Sequence, residues 1–338
     1  MDNLTHTLTA VAISQTGLNR KTRFATLTLI LGANLPDIDI VSGFKSSITY
    51  LHYHRGISHS FIGIVSLALI IWAVCYLIGR KVRPKPGLPL DARWLLLAAF
   101  LGTGSHLLLD FTNSYGVRPF LPFSGRWYAW DIMFIFDPLL LAILTAGLAV
   151  PWLLRLVSEE VGARKPGYSA GAVLCLAAMA ALWGIRDFSH RRALSILDSH
   201  TYSSESARRF SALPVAVNPF SWIGVVETET AYHVVEVRAL DANDTPEEMG
   251  TFEKPQPSPA LTAAMATRAG QILGDFARFA WAQVEENDQG FLVSVQDLRF
   301  YHPSAQSRGF TLEVVLDKTL KPLSEIFYFS APPRPGRD

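Results

Sequence analysis

Apolar residues fill the first 186 positions in long blocks, and from position 187 onward they alternate with polar ones over short stretches. The clearest block is Ile57–Gly79, ISHSFIGIVSLALIIWAVCYLIG, which holds no Lys, Arg, Asp or Glu and suffices as a helix to cross a ~30 Å hydrocarbon core. Ala92–Leu109, Ile132–Leu154 and Tyr168–Ile185 repeat that pattern, so four spans are predicted. Thr22–Leu35 is as apolar but stops at Pro36, and Leu4–Leu18 is short and rich in Thr. These two would raise the number of spans to six.

The second half has a different period. Trp222–Leu240, Phe291–His302, Phe310–Leu316 and Glu325–Phe329 alternate in the manner of half-buried strands. Ser258 is placed to cap a long helix from Pro259 to Glu285, with Leu261, Met265, Ile272, Phe276 and Phe279 along one side. Asp241–Pro259 is a polar connector. The predicted fold is an all-α polytopic membrane bundle of four to six transmembrane helices (1–188), followed by an α+β soluble domain (189–330) and a frayed tail (331–338).

Composition agrees with the division. Charged residues make up 17% of the chain, against ~25% in ordinary soluble domains, and mean hydropathy is +0.23. Up to Arg186 there are 16 basic and 9 acidic residues, a net +7; the remainder has 14 and 20, a net −6. A single soluble globule, a disordered chain and a disulfide scaffold are excluded, the last because Cys75 and Cys175 both lie in apolar runs. A net charge of +1 argues against a nucleic-acid partner. Asp2 and His6 stand where a cleavable leader would carry basic residues. Three basic clusters flank the spans: Arg20, Lys21 and Arg23; Arg80, Lys81, Arg83, Lys85 and Arg93; Arg155, Arg164 and Lys165. The positive-inside rule puts all three in the cytoplasm. With six spans both termini then lie outside, although Arg186, Arg191 and Arg192 pull the other way.

Against this apolar background the few ionisable groups stand out. No Glu precedes Glu159, yet Asp37, Asp39, Asp110, Asp131 and Asp137 sit at or near the ends of apolar segments, together with His6, His52, His54, His59 and His106. Such groups at membrane depth cost about 2.5–3.5 kcal/mol each on insertion scales. A shared cation would offset that cost. In the six-span arrangement His6, Asp37, Asp39, His54, His59, His106, Asp110 and Asp137 all fall on the side opposite the basic loops. His106 and Asp110 are i and i+4, on one helical face. Pro36 is expected to break its helix, so that Asp37 and Asp39 point the same way from an extended turn. Imidazole and carboxylate without thiolate suit zinc, with iron or manganese as second choices. The number of donors exceeds the needs of one tetrahedral ion, so one to three ions are expected. Paired ions of this kind serve phosphoester hydrolysis. Arg55 and Arg118 are candidates for holding a phosphate. His52 and Asp131 read as interfacial residues, Asp131 beside Trp127, Tyr128 and Trp130. His190, His200, His233 and His302 are scattered and read as structural.

Ordered motifs cover roughly the first 140 residues: Met1-Asp-Asn-Leu-Thr-His6, Leu35-Pro-Asp-Ile-Asp39, His54-Arg-Gly-Ile-Ser-His-Ser60, Ser105-His-Leu-Leu-Leu-Asp110, Thr112-Asn-Ser-Tyr-Gly116 running on to Arg118-Pro-Phe120, and Phe136-Asp-Pro138. In these stretches the chain resembles the bacterial inner-membrane-associated, metal-dependent hydrolases, some of them LexA-regulated. That group is distantly similar to the all-helical zinc phospholipase C and P1 nuclease enzymes. The resemblance implies a hydrolase carrying its metal on His6, Asp37, His54, His59, His106 and Asp110, with Asp39 and Asp137 as further candidates.

The sequence therefore predicts a multi-pass protein of the bacterial inner membrane whose metal site faces the extracytoplasmic side. It would hydrolyse a lipid or lipid-linked phosphoester through a metal-activated water. Asp39 is the candidate general base, Arg55 the group that stabilises developing charge, and Arg55, Arg118 and Asn113 the substrate-binding residues. The alternative is a metal or ion transporter, or a metal-stabilised scaffold without catalysis. A peptidase is disfavoured, because neither a His-Glu-x-x-His nor a Gly-x-Ser-x-Gly element occurs.

Overall fold

The computed structural model describes residues 1–82, 87–160, 168–241, 245–301 and 308–331. Arg83, Lys85, Arg164, Lys165, His302 and the stretch 332–338 of the expected tail lie outside the described residues. Helices come first: α1 (Asn3–Gln15), α2 (Ala25–Asn34), α3 (Ser47–Tyr53), α4 (Phe61–Lys81), α5 (Ala92–Phe111), α6 (Pro138–Glu160) and α7 (Tyr168–Ser199). Strands β1 (Thr201–Tyr202), β2 (Glu205–Ser206), β3 (Arg209–Pro214), β4 (Ser221–Glu227), β5 (Ala231–Arg238) and β6 (Glu247–Glu253) follow. After them come α8 (Pro259–Ala266), α9 (Arg268–Phe276), β7 (Ala280–Asn287), β8 (Gly290–Asp297), β9 (Arg308–Asp317) and β10 (Pro322–Ala331).

Five segments are long and apolar enough to cross a membrane: Ala25–Phe44, Phe61–Lys81, Ala92–Phe111, Pro138–Leu156 and Tyr168–Ser199. The fold is thus an apolar helical region followed by antiparallel sheets with helices. α1 is not among the five. Its 13 residues rise about 20 Å at 1.5 Å each, short of the ~30 Å core. Asp2 caps it by accepting from the Thr5 backbone at 3.0 Å, which sets His6 one turn into the helix. Ser60 and Asp91 cap α4 and α5 in the same way.

The chain divides into two compact units: Met1–Asp39, Arg55–Phe188 and Pro214–Pro219 form one, and Ile40–His54, Ser189–Leu213 and Phe220–Asp338 the other. In the first unit α2 and α5 approach closely at glycine. A Cβ on Gly102 would lie 2.6 Å from the Leu29 carbonyl oxygen, and one on Gly32 would lie 3.0 Å from the Thr103 nitrogen. Leu29, Ala33, Ala10 and Ala98 fill one apolar cluster; Met1, Leu109, Ile132, Leu140, Leu144 and Leu182 fill another.

The second unit holds two four-stranded sheets, ordered β3-β4-β5-β6 and β10-β9-β8-β7. Val225 faces Val234 across β4 and β5, and Val293 faces Val314 across β8 and β9, both in antiparallel register. The segment Trp222–Leu240 is therefore a hairpin with a turn at 228–230. The helix expected from Pro259 to Glu285 begins at its Ser258 cap, which accepts from Leu261 at 3.1 Å. It then stops at Ala266. Thr267 caps a second helix by accepting from Gly270 at 3.1 Å, and 280–287 is strand. A Cβ on Gly270 would lie 2.3 Å from the Ala264 carbonyl oxygen, so this sharp corner demands glycine. α3 also belongs to this unit, packing against α9 and β10 with Tyr50 edge-on to Phe329 at 5.3 Å.

Candidate metal centre

Three elements of the first unit supply the centre. α2 does not break at Pro36. It continues as a 3-10 helix over Leu35–Phe44 instead of the expected extended turn. At three residues per turn, positions i and i+2 diverge by about 120°. Asp37 and Asp39 accordingly meet opposite edges of one imidazole: Asp37 Oδ1 lies 3.3 Å from His59 Nε2, and Asp39 Oδ2 lies 3.3 Å from His59 Nδ1. His59 ends a short 3-10 turn, Ile57–His59, just ahead of the Ser60 cap of α4. α5 contributes the i, i+4 pair near its C-terminal end. His106 Nε2 lies 3.5 Å from Asp110 Oδ2, and Asp110 Oδ2 lies 3.3 Å from His59 Nε2.

Asp37, His59, His106 and Asp110 form a group that could hold a metal ion, with one donor atom from each inside a 4.8 Å span. His59, His106 and Asp110 are buried, at 0%, 0% and 1% exposure. The decisive observation is the tautomer each histidine is forced to take. His106 Nδ1 lies 2.8 Å from the Ala33 carbonyl oxygen, which can only accept, so Nδ1 carries the proton and Nε2 a lone pair. His59 Nδ1 faces the Asp39 carboxylate and, at 3.0 Å, the Ser58 hydroxyl, which in turn donates to Asp39 at 3.0 Å. That arrangement also puts a proton on His59 Nδ1. The two Nε2 atoms then approach to 2.9 Å, with two carboxylate oxygens beside them. Two lone pairs and two anions repel unless a cation lies among them. The donor set fits a metal, and the carbonyl and carboxylate behind each histidine are the partners that ligating imidazoles need.

Around this group the other expected residues take distinct places. His6 is fully buried and stacked on His106 at 4.0 Å between ring centroids, with Nε2 3.4 Å from Asp110 Oδ1. The Met1 amino group also pairs with Asp110 Oδ1. Arg55 is 3% exposed. Its Nη2 donates to Asp110 Oδ1 at 3.1 Å, and its Nη1 donates to Asn113 Oδ1 at 2.8 Å and to the Gly116 carbonyl at 3.2 Å. Its backbone nitrogen donates to Asp39 at 3.0 Å, from a left-handed conformation at φ 54°. Asn113 thus serves Arg55 through its oxygen, and that oxygen also accepts from the Tyr115 backbone at 3.0 Å. Arg118, 7% exposed, lies over the Trp127 ring at 4.5 Å.

Two expected ligands lie outside the four-donor group. Asp137 is fully buried in an ion pair with Arg186 at 2.8 Å, and it caps α6 by accepting from the Leu140 backbone at 3.0 Å. His54 is the C-cap of α3 in the second unit, with its ring stacked on Tyr50 at 4.5 Å. Asp131 is 6% exposed at φ 59°, and neighbouring Trp130 donates to Asp187 at 2.8 Å. The sequence reading missed Ser58, the Ala33 carbonyl and Arg186. Only Ser58 carried a signal, because it lies inside the His54–Ser60 motif.

Comparison with known proteins bears on the same region. The model of the YdjM inner membrane protein family matches residues 1–192, more than half of the chain. The chain belongs to the YdjM inner membrane protein family. The YdjM match contains Asp37, His59, His106 and Asp110 and all five apolar helices. Membership and helices together make this a multi-pass protein of the inner membrane. A curated relative, described as uncharacterized protein YfhP of Bacillus subtilis (strain 168), is 32% identical over 144 residues. The match takes in 43% of this chain and 41% of the relative, so the chain spans about two fifths of the curated relative's length. No solved structure gives a significant match.

Proposed function

We propose that the Asp37, His59, His106 and Asp110 group binds a transition-metal cation, zinc ahead of iron or manganese, and that the protein hydrolyses a phosphoester carried by a membrane lipid or lipid-linked molecule. The observation that carries this reading is the 2.9 Å approach of two imidazole nitrogens whose outer nitrogens are each committed as donors. A cation bound there would supply Lewis acidity and lower the pKa of a coordinated water. The remaining chemistry belongs to the chain. Asp39 and Ser58 orient His59, the Ala33 carbonyl orients His106, and Arg55 ties Asp110 to the Asn113–Gly116 loop while balancing its charge. Asp39 reads better as the carboxylate behind His59 than as a general base. Arg118 is the candidate phosphate ligand.

Depth favours hydrolysis over transport. His59 precedes the first residue of α4, Asp110 is the penultimate residue of α5, and Asp37 follows the last α-helical turn of α2. The donors therefore gather at span ends, where lipid headgroups and water meet, and not along a path through the bilayer. The positive-inside rule assigns this end to the extracytoplasmic side.

The test is elemental analysis of purified protein and of His106→Ala and Asp110→Ala variants, with a hydrolysis screen over phospholipids and polyprenyl phosphates. The expected result is at least one transition-metal ion per chain, lost in both variants, and phosphate release abolished by chelator and restored by zinc. Metal-free protein, with the variants as active as the parent, overturns the reading.

A further inference from the structure

Beside the centre, but on the outer face of the same helices, lies an apolar groove of about 510 Å³, within the ~300–1,000 Å³ range of small-molecule sites. Its floor on α5 is the stripe Gly104, Leu107, Leu108 and Phe111, at i, i+3, i+4 and i+7. Phe61 at the start of α4 and Phe120 of the following loop form its walls. The loop is fastened there by Phe61 N donating to the Pro119 carbonyl at 2.9 Å, and by the reciprocal Val117–Tyr128 backbone pair at 2.8 and 2.9 Å.

Each part of the lining is continuous with a polar residue of the centre. Phe111 follows Asp110, Phe61 lies two residues after His59, and Val117 and Pro119 flank Arg118. Consecutive Cα atoms are 3.8 Å apart, so hydrocarbon space and cationic headgroup space lie within a few ångströms of each other along three separate stretches of chain. Leu108, Phe61 and Phe120 remain 46%, 53% and 45% exposed. The geometry points to this groove as the seat of the hydrocarbon tail of an anionic phospholipid-like molecule whose phosphate lies toward Arg118 and the metal centre. The charge complementarity of Arg118 selects this occupant over a second protein: the apolar trough ends at a guanidinium, and a phosphate on an alkyl chain matches both. This inference rests on the phosphoester reading for the orientation of the head, and it adds that the substrate must carry a long chain.

Gly104 makes the idea testable without harming the fold. A Cβ there would meet nothing within 4 Å, so a large side chain at 104 enters the groove and not the protein. The experiment uses full-length protein in phosphatidylcholine nanodiscs and two diazirine-tagged probes, a hexadecyl phosphate and a hexadecyltrimethylammonium. Labelled residues are mapped by mass spectrometry in the parent and in Gly104→Trp, with metal content reporting an intact centre. The expected result is at least fivefold more labelling of the α5 stripe by the phosphate than by the ammonium probe, falling at least fivefold in Gly104→Trp. Equal labelling by the two probes identifies ordinary annular lipid and overturns the inference, as does undiminished labelling in Gly104→Trp. Hydrolysis of a chainless phosphodiester, bis(p-nitrophenyl) phosphate, by the parent is scored separately. Turnover without head-selective labelling overturns the groove and leaves the hydrolase. Head-selective labelling with no turnover of any phosphoester supports the groove and overturns the hydrolase.

Discussion

His59 is gripped at both edges of its ring, and the two carboxylates that grip it do different work. Asp37 lies at Nε2 with the other donors, whereas Asp39 lies at Nδ1 behind the ring. Replacing the outer partner of a ligating histidine typically costs 10–100-fold in metal affinity, since ring orientation and basicity both depend on it. Asp39→Asn is thus expected to weaken zinc binding by that factor in a competitive chelator titration. Asp137→Asn should instead leave zinc affinity at the parental value and lower unfolding stability by about 3–5 kcal/mol, because it strands the buried Arg186 guanidinium. A Asp137→Asn protein that is stable but short of metal would return Asp137 to the ligand set. The residue-level pattern was partly legible in the sequence. Scarce Asp and His at span ends, and the i, i+4 spacing of His106 and Asp110, pointed to a shared centre. The Arg186 partnership was not legible, because its partner is 49 residues away and a lone arginine after a span reads as a topology signal.

At the scale of elements, the centre depends on how closely α2 approaches α5. The Ala33 carbonyl that fixes the His106 tautomer sits one residue beyond Gly32, where the two backbones touch through Gly102. A side chain on Gly102 meets the Leu29 carbonyl oxygen, which is backbone and cannot rotate away. Gly102→Val must therefore separate the helices, lengthening the His106–Ala33 bond and spreading donors on different elements. The expected outcome is at least a tenfold loss of zinc affinity in the folded variant, with helix content by circular dichroism near that of the parent. An unchanged affinity would show that the centre tolerates movement of α2. The long apolar helices were readable from period and length, and the Ser258 cap from its residue type. The 3-10 continuation past Pro36 was not, since proline is accommodated at the start of a tighter helix. Nor was the change from helix to strand after Phe276. Phe279 continues the apolar spacing of the helix and is also buried with Leu213, Val225 and Leu298 in the core of the sheets, so period alone could not separate the two.

At the scale of the whole molecule, the two compact units draw stability from different sources, and pH separates them. In the second unit Glu227 is clamped by Lys254 at 2.9 Å and by Arg209, whose Nη2 approaches to 2.7 Å. Burial alone would raise its carboxyl pKa; the hydrogen bond from Lys254 and the charge of Arg209 outweigh burial and bring it below the ordinary value of 4.5. A carboxyl whose pKa is depressed on folding stabilises the fold above its unfolded pKa. That contribution fades as pH falls from about 4.5 through the lower folded value, because protons then bind the unfolded chain first. Glu227→Gln removes the ionisable group and with it this dependence. The variant should unfold at lower denaturant concentration than the parent at pH 7, and the gap between the two midpoints should close as pH drops below 4.5. The readout is the quenching of tryptophan fluorescence, to which Trp222 and Trp281 contribute from within this unit. A gap that stays constant down to pH 3 would mean that Glu227 acts by packing and not by charge, and it would assign the acid sensitivity of this unit to other carboxylates.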